Sequence, residues 1–292
     1  MQQIPTALRP VVLLGVFFTS LSSLVAQTWN GAGSDDNFTT SANWSGGLAP
    51  TNDGSADVTL SGATRLSPTL DADRSINSTL TGVSGGASKH YIEVPLAING
   101  GLNVLADNAF LYLKGAISGT GGITGTGIGR MIFGSDNTYT GTTSMTGAQL
   151  HWGYYGNPTG GGSNQGDVVL GAGSNLSVYR SQDLTYSGSI SAAGSNYVAL
   201  RGIGQTDNAV ITFTGSNTYT GSTLIYNGAT LKIGAENTLA SNAAVRVQGT
   251  GLLHVAENQT LLAVDNNFGG AVQIDAGRVT QTGPPKQLVW MG

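Results

Sequence analysis

Hydrophobic and polar residues alternate over short segments along most of the chain, and Gly or Asn residues separate these segments. Met131 and Phe133 alternate with residues that can face outward, and Ile211 and Phe213 repeat this arrangement. Alternation with a period of two over a few residues is typical of a half-buried β-strand. The segments are too short and too often interrupted by Gly to form helices, so the pattern predicts an all-β chain.

One stretch of the chain occurs twice, at positions 133–153 and again at 213–234. Both copies contain Asn-Thr-Tyr-Thr-Gly, and both continue with Gly-Ala-x-Leu. Short strands cannot bury an apolar face alone, but stacked coils can line a common interior. The repeat therefore predicts a solenoid with three or four coils of about 20 to 27 residues in each unit. The recurring residues are Asn137, Tyr139, Gly141, Gly147 and Leu150 in the first copy and Asn217, Tyr219, Gly221, Gly228 and Leu231 in the second.

The repeated Asn and Tyr residues are interpreted as structural. An Asn at the turn of a coil can bond with backbone groups or stack on an Asn of the next rung. We expect Asn137 and Asn217 to act in this way, with Tyr139 and Tyr219 covering the turns. A ligand-binding row of tyrosines is the weaker alternative, because the two copies would lie several rungs apart.

The repeated pattern resembles a known sequence family. Gly/Ser-x-Asn-Thr-Tyr-Thr-Gly-x-Thr, followed by Gly-Ala-x-Leu-x-x-Gly, is similar to the autotransporter-associated β-strand repeat of bacterial autotransporter passenger domains and related exported proteins. The two copies carry the resemblance most closely, and weaker versions extend it over about residues 96–280. The resemblance implies a right-handed parallel β-helix, here expected over residues 63–292, and it implies no particular activity.

Residues 1–26 are similar to a secretory signal peptide. Arg9 supplies a positive charge, the apolar segment 11–18 follows, and small residues precede a cleavage site near Ala26. An uncleaved anchor is the alternative, but the apolar run is shorter than the roughly 20 residues that span a bilayer. The segment predicts export, to the extracellular space or to a bacterial cell surface associated with the outer membrane.

Residues 27–62 are expected to cap the solenoid. The end of a solenoid exposes an apolar interior and unpaired strand edges, so its terminal unit must differ from the repeats. Trp29, Phe38 and Trp44 are suited to fill the first coil. An aromatic platform that stacks on sugar rings is the functional alternative for the same three residues.

The composition narrows the possible partners. Gly accounts for 45 of the 292 residues, and charged residues for 10%, against an average of about 25%. The net charge is −4 and no run of Lys or Arg is present, so nucleic acid is not an expected partner. Cys is absent, so disulfides do not hold the fold together.

Candidate catalytic groups are sparse. Gly82–Gly86 fits Gly-x-Ser-x-Gly, but the nucleophile elbow needs a helix after the Ser, and the sequence predicts none there. His90, His151 and His254 lack a second ligand at zinc-like spacing and are expected to be surface residues. We therefore predict no catalytic residue, no cofactor and no metal site.

Aspartates in the N-terminal part carry the enzymatic alternative. Parallel β-helices also form polysaccharide lyases and hydrolases, which need clustered carboxylates for calcium or for acid/base catalysis. Most of these aspartates are interpreted as turn residues, because Asp bonds with its own backbone in turns. The residues are Asp35, Asp36, Asp53, Asp57, Asp71 and Asp73, with Arg65 and Arg74 nearby.

The leading functional expectation is an exported, non-enzymatic protein with a structural or adhesive role. Its expected partner is a carbohydrate or a cell surface, although Tyr, Trp and charged residues are too scattered along the chain to define a contact surface. Residues 153–166 break the strand pattern and predict a projecting loop, which either binds or is inert. We expect no stable transmembrane domain in this chain, with a separate outer-membrane anchor left open. A truncated passenger without independent function is a further alternative.

Overall fold

The fold is known from a computed structural model, which describes most of the chain after residue 26. The predicted signal peptide 1–26 lies outside the described residues, as do Arg65, Asp71 and Asp73. The described residues are 27–53, 55–60, 74–84, 89–92, 95–107, 110–157, 161–192, 194, 196–202, 209–275 and 278–283.

Apart from one 3-10 turn at Ser41–Asn43, the regular structure of the described part is β-strand. All pairings between the strands are parallel there. In chain order the strands are β1 (Gln27–Trp29), β2 (Asp57–Leu60), β3 (Arg74–Ser84), β4 (Lys89–Ile92), β5 (Leu96–Asp107), β6 (Phe110–Leu113), β7 (Ile117–Gly119), β8 (Gly122–Gly127), β9 (Arg130–Phe133), β10 (Thr143–Thr146), β11 (Gln149–Trp152), β12 (Val168–Leu170), β13 (Asn175–Arg180), β14 (Leu184–Tyr186), β15 (Ile190–Ala192), β16 (Val198–Gly202), β17 (Val210–Phe213), β18 (Ser222–Tyr226), β19 (Thr230–Ile233), β20 (Ala244–Gln248), β21 (Leu252–Val255), β22 (Gln259–Leu261), β23 (Ala263–Phe268), β24 (Ala271–Ile274) and β25 (Val279–Gln281).

Strands from successive turns stack into sheets that form the faces of a solenoid. Sheet 1 has the order β1-β2-β3-β5-β8-β10-β12-β15, with β7 also paired to β5. Sheet 2 has the order β4-β6-β9-β11-β13-β16-β18-β20-β23, and sheet 3 has the order β14-β17-β19-β21-β24. From β12 to β17 the chain passes through sheets 1, 2 and 3 and then repeats that order, while β22 and β25 form a short fourth pair. The all-β parallel β-helix is therefore confirmed, with about eight turns. Its right-handed sense, the usual one for parallel crossovers, stays a prediction.

Inward-facing residues of the strands form one continuous hydrophobic core. In β11, Leu150 and Trp152 point inward and are fully buried, whereas Gln149 and His151 alternate to the outer side. Leu150 is in register with Met131 on the turn before it and with Leu176 on the turn after it. Each turn can therefore place its apolar side chains above those of the previous turn, at the strand spacing of about 4.8 Å.

The two sequence copies lie on different faces of the solenoid. The first copy begins in β9 of sheet 2, whereas the second begins in β17 of sheet 3. Likewise β10 belongs to sheet 1 and its counterpart β18 to sheet 2. One repeat unit therefore covers three turns and one additional face, and not a whole number of turns.

Glycine in the repeated motif permits close contact between turns. A Cβ atom at Gly221 would overlap with the carbonyl oxygen of Asn196, and one at Gly141 would overlap with the backbone of Gly121. Because the clashing atoms are backbone atoms, they cannot move aside as a flexible side chain could. The motif therefore needs Gly at this position on steric grounds, whichever face it occupies.

Three aromatic side chains pack together at the first turn of the described chain. Trp29, Phe38 and Trp44 are buried, with ring centres 4.5 to 6.4 Å apart. The indole N–H of Trp44 donates to the carbonyl oxygen of Phe38 at 2.7 Å. Because these rings are packed against one another and against the core, they are not available to stack on a sugar.

Candidate functional site

The repeated asparagines join successive turns through the backbone. Asn137 accepts from the N–H of Ile117 and donates to the carbonyl oxygen of Ser163, both at 2.7 Å. Asn217 accepts from the N–H of Ile190 at 2.8 Å and donates at 3.0 Å to a carbonyl oxygen on the next turn. Both side chains are buried. Their surroundings are alike although they lie on different faces.

The repeated tyrosines are fully buried. The hydroxyl of Tyr139 lies 2.5 Å from that of Thr143, and the hydroxyl of Tyr219 lies 2.6 Å from that of Thr223. Burial raises the pKa of both phenols well above the usual value. Neither ring reaches solvent, so these positions do not form a ligand-binding row.

Two of the N-terminal aspartates, Asp35 and Asp53, organise turns, whereas Asp57 opens strand β2. Asp35 accepts from the N–H of Asn37 and from the hydroxyl of Thr40, both at 3.0 Å. Asp53 accepts from the N–H of Ser55 at 2.9 Å, and hydrogen bonds from the Ser55 side chain and backbone lower its pKa. Within the described ranges no three His, Cys, Asp or Glu side chains gather where they could hold a metal ion.

The loop 153–166 is held by a buried arginine. Arg180 is 2% exposed and forms an ion pair with Asp136. Its guanidinium also donates to the carbonyl oxygen of Gly162 at 2.8 Å and to two further carbonyl oxygens. Burial alone would raise the pKa of Asp136, but hydrogen bonds from Arg180 and Ser163 outweigh it and lower the pKa. At the other end of the loop, Tyr155 is 81% exposed.

Four side chains form a continuous stack on the outer surface of sheet 2, which we call the ladder: His151, Tyr179, Arg201 and Tyr226. They come from the consecutive strands β11, β13, β16 and β18. The rings of His151 and Tyr179 are stacked with centres 5.3 Å apart. The guanidinium carbon of Arg201 lies 5.4 Å from the ring centre of Tyr179 and 4.7 Å from that of Tyr226. Ring stacking and cation–π contacts of this kind order the side chains relative to one another.

A second aromatic group lies on the same sheet toward the N-terminus. The rings of Tyr91 and Tyr112 are stacked with centres 4.8 Å apart, and the Nζ atom of Lys114 lies 4.4 Å from the ring centre of Tyr91. Tyr154, from the loop 153–166, packs edge-on against Tyr112 at 5.3 Å. The predicted projecting loop therefore folds back onto sheet 2 at this point.

Sheet 2 is cationic although the whole chain has a net charge of −4. The acidic residue within its nine strands is Asp265, and Asp265 lies 3.8 Å from Arg246. A surplus of positive charge on one face of an acidic protein attracts anionic groups to that face. The basic residues of these strands, apart from histidines, are Lys89, Arg130, Arg180, Arg201 and Arg246. Arg180 is buried and paired with Asp136. The surplus therefore comes from Lys89, Arg130 and Arg201, which form no ion pair among the described residues.

The expectation of a surface histidine is wrong for His151, which is only 6% exposed. Its ring is outside the core but lies under Tyr179 and its neighbours. Burial, together with the positive charges of Arg130 and Arg201, lowers the pKa of His151 to about 3. The imidazole is therefore neutral at pH 7. His254 lies on sheet 3 and pairs with Asp275, and the side chain of His90 lies outside the described part.

Sequence reasoning missed the ladder, because its members are far apart along the chain. Each interval between them is about one turn of the solenoid, and each residue occupies an outward position in its strand. The available signal was the combination of outward position with turn length. The structure thus gathers Tyr and Arg residues that are scattered along the sequence.

Comparisons with known proteins identify no relative of this chain. In the described residues no helix has the length and apolar character needed to cross a membrane. Comparison of the chain with models of protein families, with curated proteins and with solved structures finds no match.

Proposed function

We propose that this chain is an exported, non-enzymatic β-helix protein with a structural or adhesive role, which contacts its partner through the outer surface of sheet 2. The observation that carries the proposal is the ladder on a face with surplus positive charge. Side chains on a rigid sheet are held in place before a partner arrives, so less conformational entropy is lost on binding.

Export is supported by the sequence resemblance. Residues 1–26 have the pattern of a secretory signal, and the repeated motif is similar to that of exported passenger domains. The absence of Cys is compatible with this route, because the fold relies on the hydrogen bonds and packing between turns. Adhesive contact would then use a face that the solenoid displays along its length.

A polysaccharide-degrading enzyme is the rival, and the described aspartates favour it little. The carboxylates of Asp35 and Asp53 already accept hydrogen bonds within local turns. A glycosidase instead needs two carboxylates on either side of the scissile bond, and the nine strands of sheet 2, on which the ladder lies, contain a single acidic residue, Asp265.

Two measurements test the proposal. The full chain carrying an epitope tag is expressed in a Gram-negative bacterium, and we expect it outside the cytoplasm; retention in the cytoplasm would contradict export. The purified protein is then incubated with pectin and alginate, with and without calcium, and chain length is followed. We expect no cleavage. Cleavage that Asp35→Ala or Asp53→Ala abolishes would establish the enzymatic rival.

Adhesion needs its own measurement. Beads coated with the protein are added to a panel of bacterial and animal cells, and retained beads are counted. We expect retention that Arg201→Gln reduces and that Lys232→Gln, a change on the outer side of sheet 3, leaves unchanged. Absence of retention on all cells would contradict an adhesive role.

A further inference from the structure

We propose that the ladder binds an anionic polysaccharide, one that carries carboxylate or sulfate groups on its sugar rings. This inference rests on the proposed function and specifies its ligand. It follows from what the ladder presents to solvent, from the spacing of its charges and from the kind of surface on which it lies.

The ladder presents the edges of its groups rather than their faces. Tyr179 lies between His151 and Arg201, and Arg201 lies between Tyr179 and Tyr226. The flat faces of Tyr179 and Arg201 are therefore covered by their neighbours, and these two residues leave a phenol O–H and guanidinium N–H donors to a ligand. A row of donors suits oxygen acceptors, and anionic acceptors form the stronger hydrogen bonds. Single-stranded nucleic acid, in contrast, gains much of its affinity by stacking bases on free ring faces.

Arg201 has unused capacity for an anion. Its guanidinium forms no ion pair with any residue that the structure describes, and Arg201 is partly exposed. Arg180, at the end of β13, differs from Arg201, because its guanidinium already pairs with Asp136 and donates hydrogen bonds to three carbonyl oxygens. Of these two arginines, Arg201 is therefore the one positioned to receive an external carboxylate or sulfate.

The spacing of positive charge fits a polymer whose charges are separated by whole sugar rings. Lys89 and Arg130 are two strands apart in register, and Arg201 lies three strands further along sheet 2. Arg201 is also displaced by four residues along the strand direction, because Arg130 is in register with Gln149 and Asn175 whereas Arg201 is in register with Tyr179. With about 4.8 Å between strands and about 3.3 Å per residue, the two separations are about 10 and about 20 Å. Each strand of duplex DNA carries a phosphate about every 3.4 Å, so nucleic acid would leave more of its charges without a partner on this face than a polymer with one charge per sugar ring.

The position of the ladder within the sheet argues against an acidic peptide. Extended peptides bind by adding a strand to a free sheet edge. The strands β11, β13, β16 and β18 all pair with a neighbour on both sides. Their backbone groups are already hydrogen-bonded, so a ligand above the ladder contacts side chains alone. A polysaccharide can bind in this way, because it does not need a free strand edge.

Binding of the full-length protein to immobilised polymers tests the inference. The probes are alginate for carboxylate, dextran sulfate for sulfate, unmodified dextran for a neutral glycan, and oligo(dT) for nucleic acid. We expect alginate, dextran sulfate or both to bind at low ionic strength and to be released by salt, and dextran not to bind. Arg201→Gln should weaken this binding about ten-fold, the effect of losing one hydrogen bond between charged groups. Lys232→Gln, on the outer side of sheet 3, should bind as the unchanged protein does.

Folding of each variant is checked by circular dichroism, and Arg201→Lys provides a second ladder variant. It keeps the charge but loses the planar stacking, so we expect weaker binding than in the unchanged protein and stronger binding than in Arg201→Gln. The inference is overturned if neither polyanion binds, if Arg201→Gln binds them unchanged, or if dextran or oligo(dT) binds as tightly. Retention on cells without polyanion binding would reject this ligand class alone, whereas cytoplasmic retention or polymer cleavage would reject the proposed function.

Discussion

Replacing Asn217 by Ala removes a side chain that bonds with the turns on both sides of it. Its Oδ1 accepts from the N–H of Ile190 at 2.8 Å, and its Nδ2 donates to the carbonyl oxygens of Thr238 and Gly215 at 3.0 and 3.1 Å. The N–H of Ile190 would be left buried without an acceptor, which costs about 1–3 kcal/mol. The carbonyl oxygen of Thr238 would keep its bond from the backbone N–H of residue 217. With about 1 kcal/mol for the lost donor bonds, we expect the free energy of unfolding to fall by about 2–4 kcal/mol.

Urea denaturation of two matched variants measures this loss. Asn137→Ala removes the corresponding two bonds between turns in the first copy, so we expect a loss equal to that of Asn217→Ala within about 0.5 kcal/mol. Asn242 is exposed, and Asn242→Ala should change stability by less than about 0.5 kcal/mol. Losses below about 1 kcal/mol in both repeat variants, or clearly unequal losses, would refute the reasoning that these asparagines tie the turns together.

Three further changes test other parts of the molecule. The pKa of His151 is lowered to about 3 in the folded protein, so as the pH falls below about 6.5 the imidazole of the unfolded chain is protonated first. The unchanged protein should therefore lose roughly 3 kcal/mol of unfolding free energy between about pH 7 and pH 4 that His151→Gln does not lose. Equal pH slopes of the two proteins in urea melts would contradict this. Gly221→Ala brings a Cβ into the backbone of the previous turn and should cost about 3 kcal/mol or more in thermal unfolding, whereas Ser222→Ala, at an exposed neighbour, should be nearly neutral. Asp136→Asn leaves the buried Arg180 without its carboxylate and should lower the free energy of unfolding by about 1–3 kcal/mol at neutral pH, a figure reduced because the Asp136 side chain is half exposed. The pKa of Asp136 is lowered, so the stability difference between the variant and the unchanged protein should shrink as the pH falls through that lowered pKa. A stability difference that stays constant with pH would count against the ion pair.

The fold could be predicted from the sequence because local pattern and long-range repetition agree. Alternation in segments such as Leu150–Trp152 determines which side chains point inward, and the repeated motif indicates that similar coils stack. The face occupied by each copy could not be predicted. Turn lengths vary, since the partners of Leu150 on its two sides, Met131 and Leu176, lie at unequal distances from it along the chain. The sequence interval between Asn137 and Asn217 therefore does not specify how many faces separate them.

The candidate site was much less predictable than the fold. The stack of His151, Tyr179 and Arg201 depends on which strands become neighbours, and that depends on the length of each intervening loop. Burial of His151 likewise depends on a ring from the next turn, which alternation within its own strand cannot reveal. Trp29 and Trp44 were easier, because they are close in sequence and large aromatic residues are usually buried.

The additional face covered by each repeat unit affects how such a chain could evolve by duplication. A unit of whole turns would place each new copy directly above the last and lengthen a single stripe of identical side chains. Here the second copy is rotated about the axis, since its strands belong to the next sheet. Lengthening the chain by this unit would therefore display the same outward groups in different directions, and a uniform stripe along one flank would have to arise from sequence that the duplication does not supply.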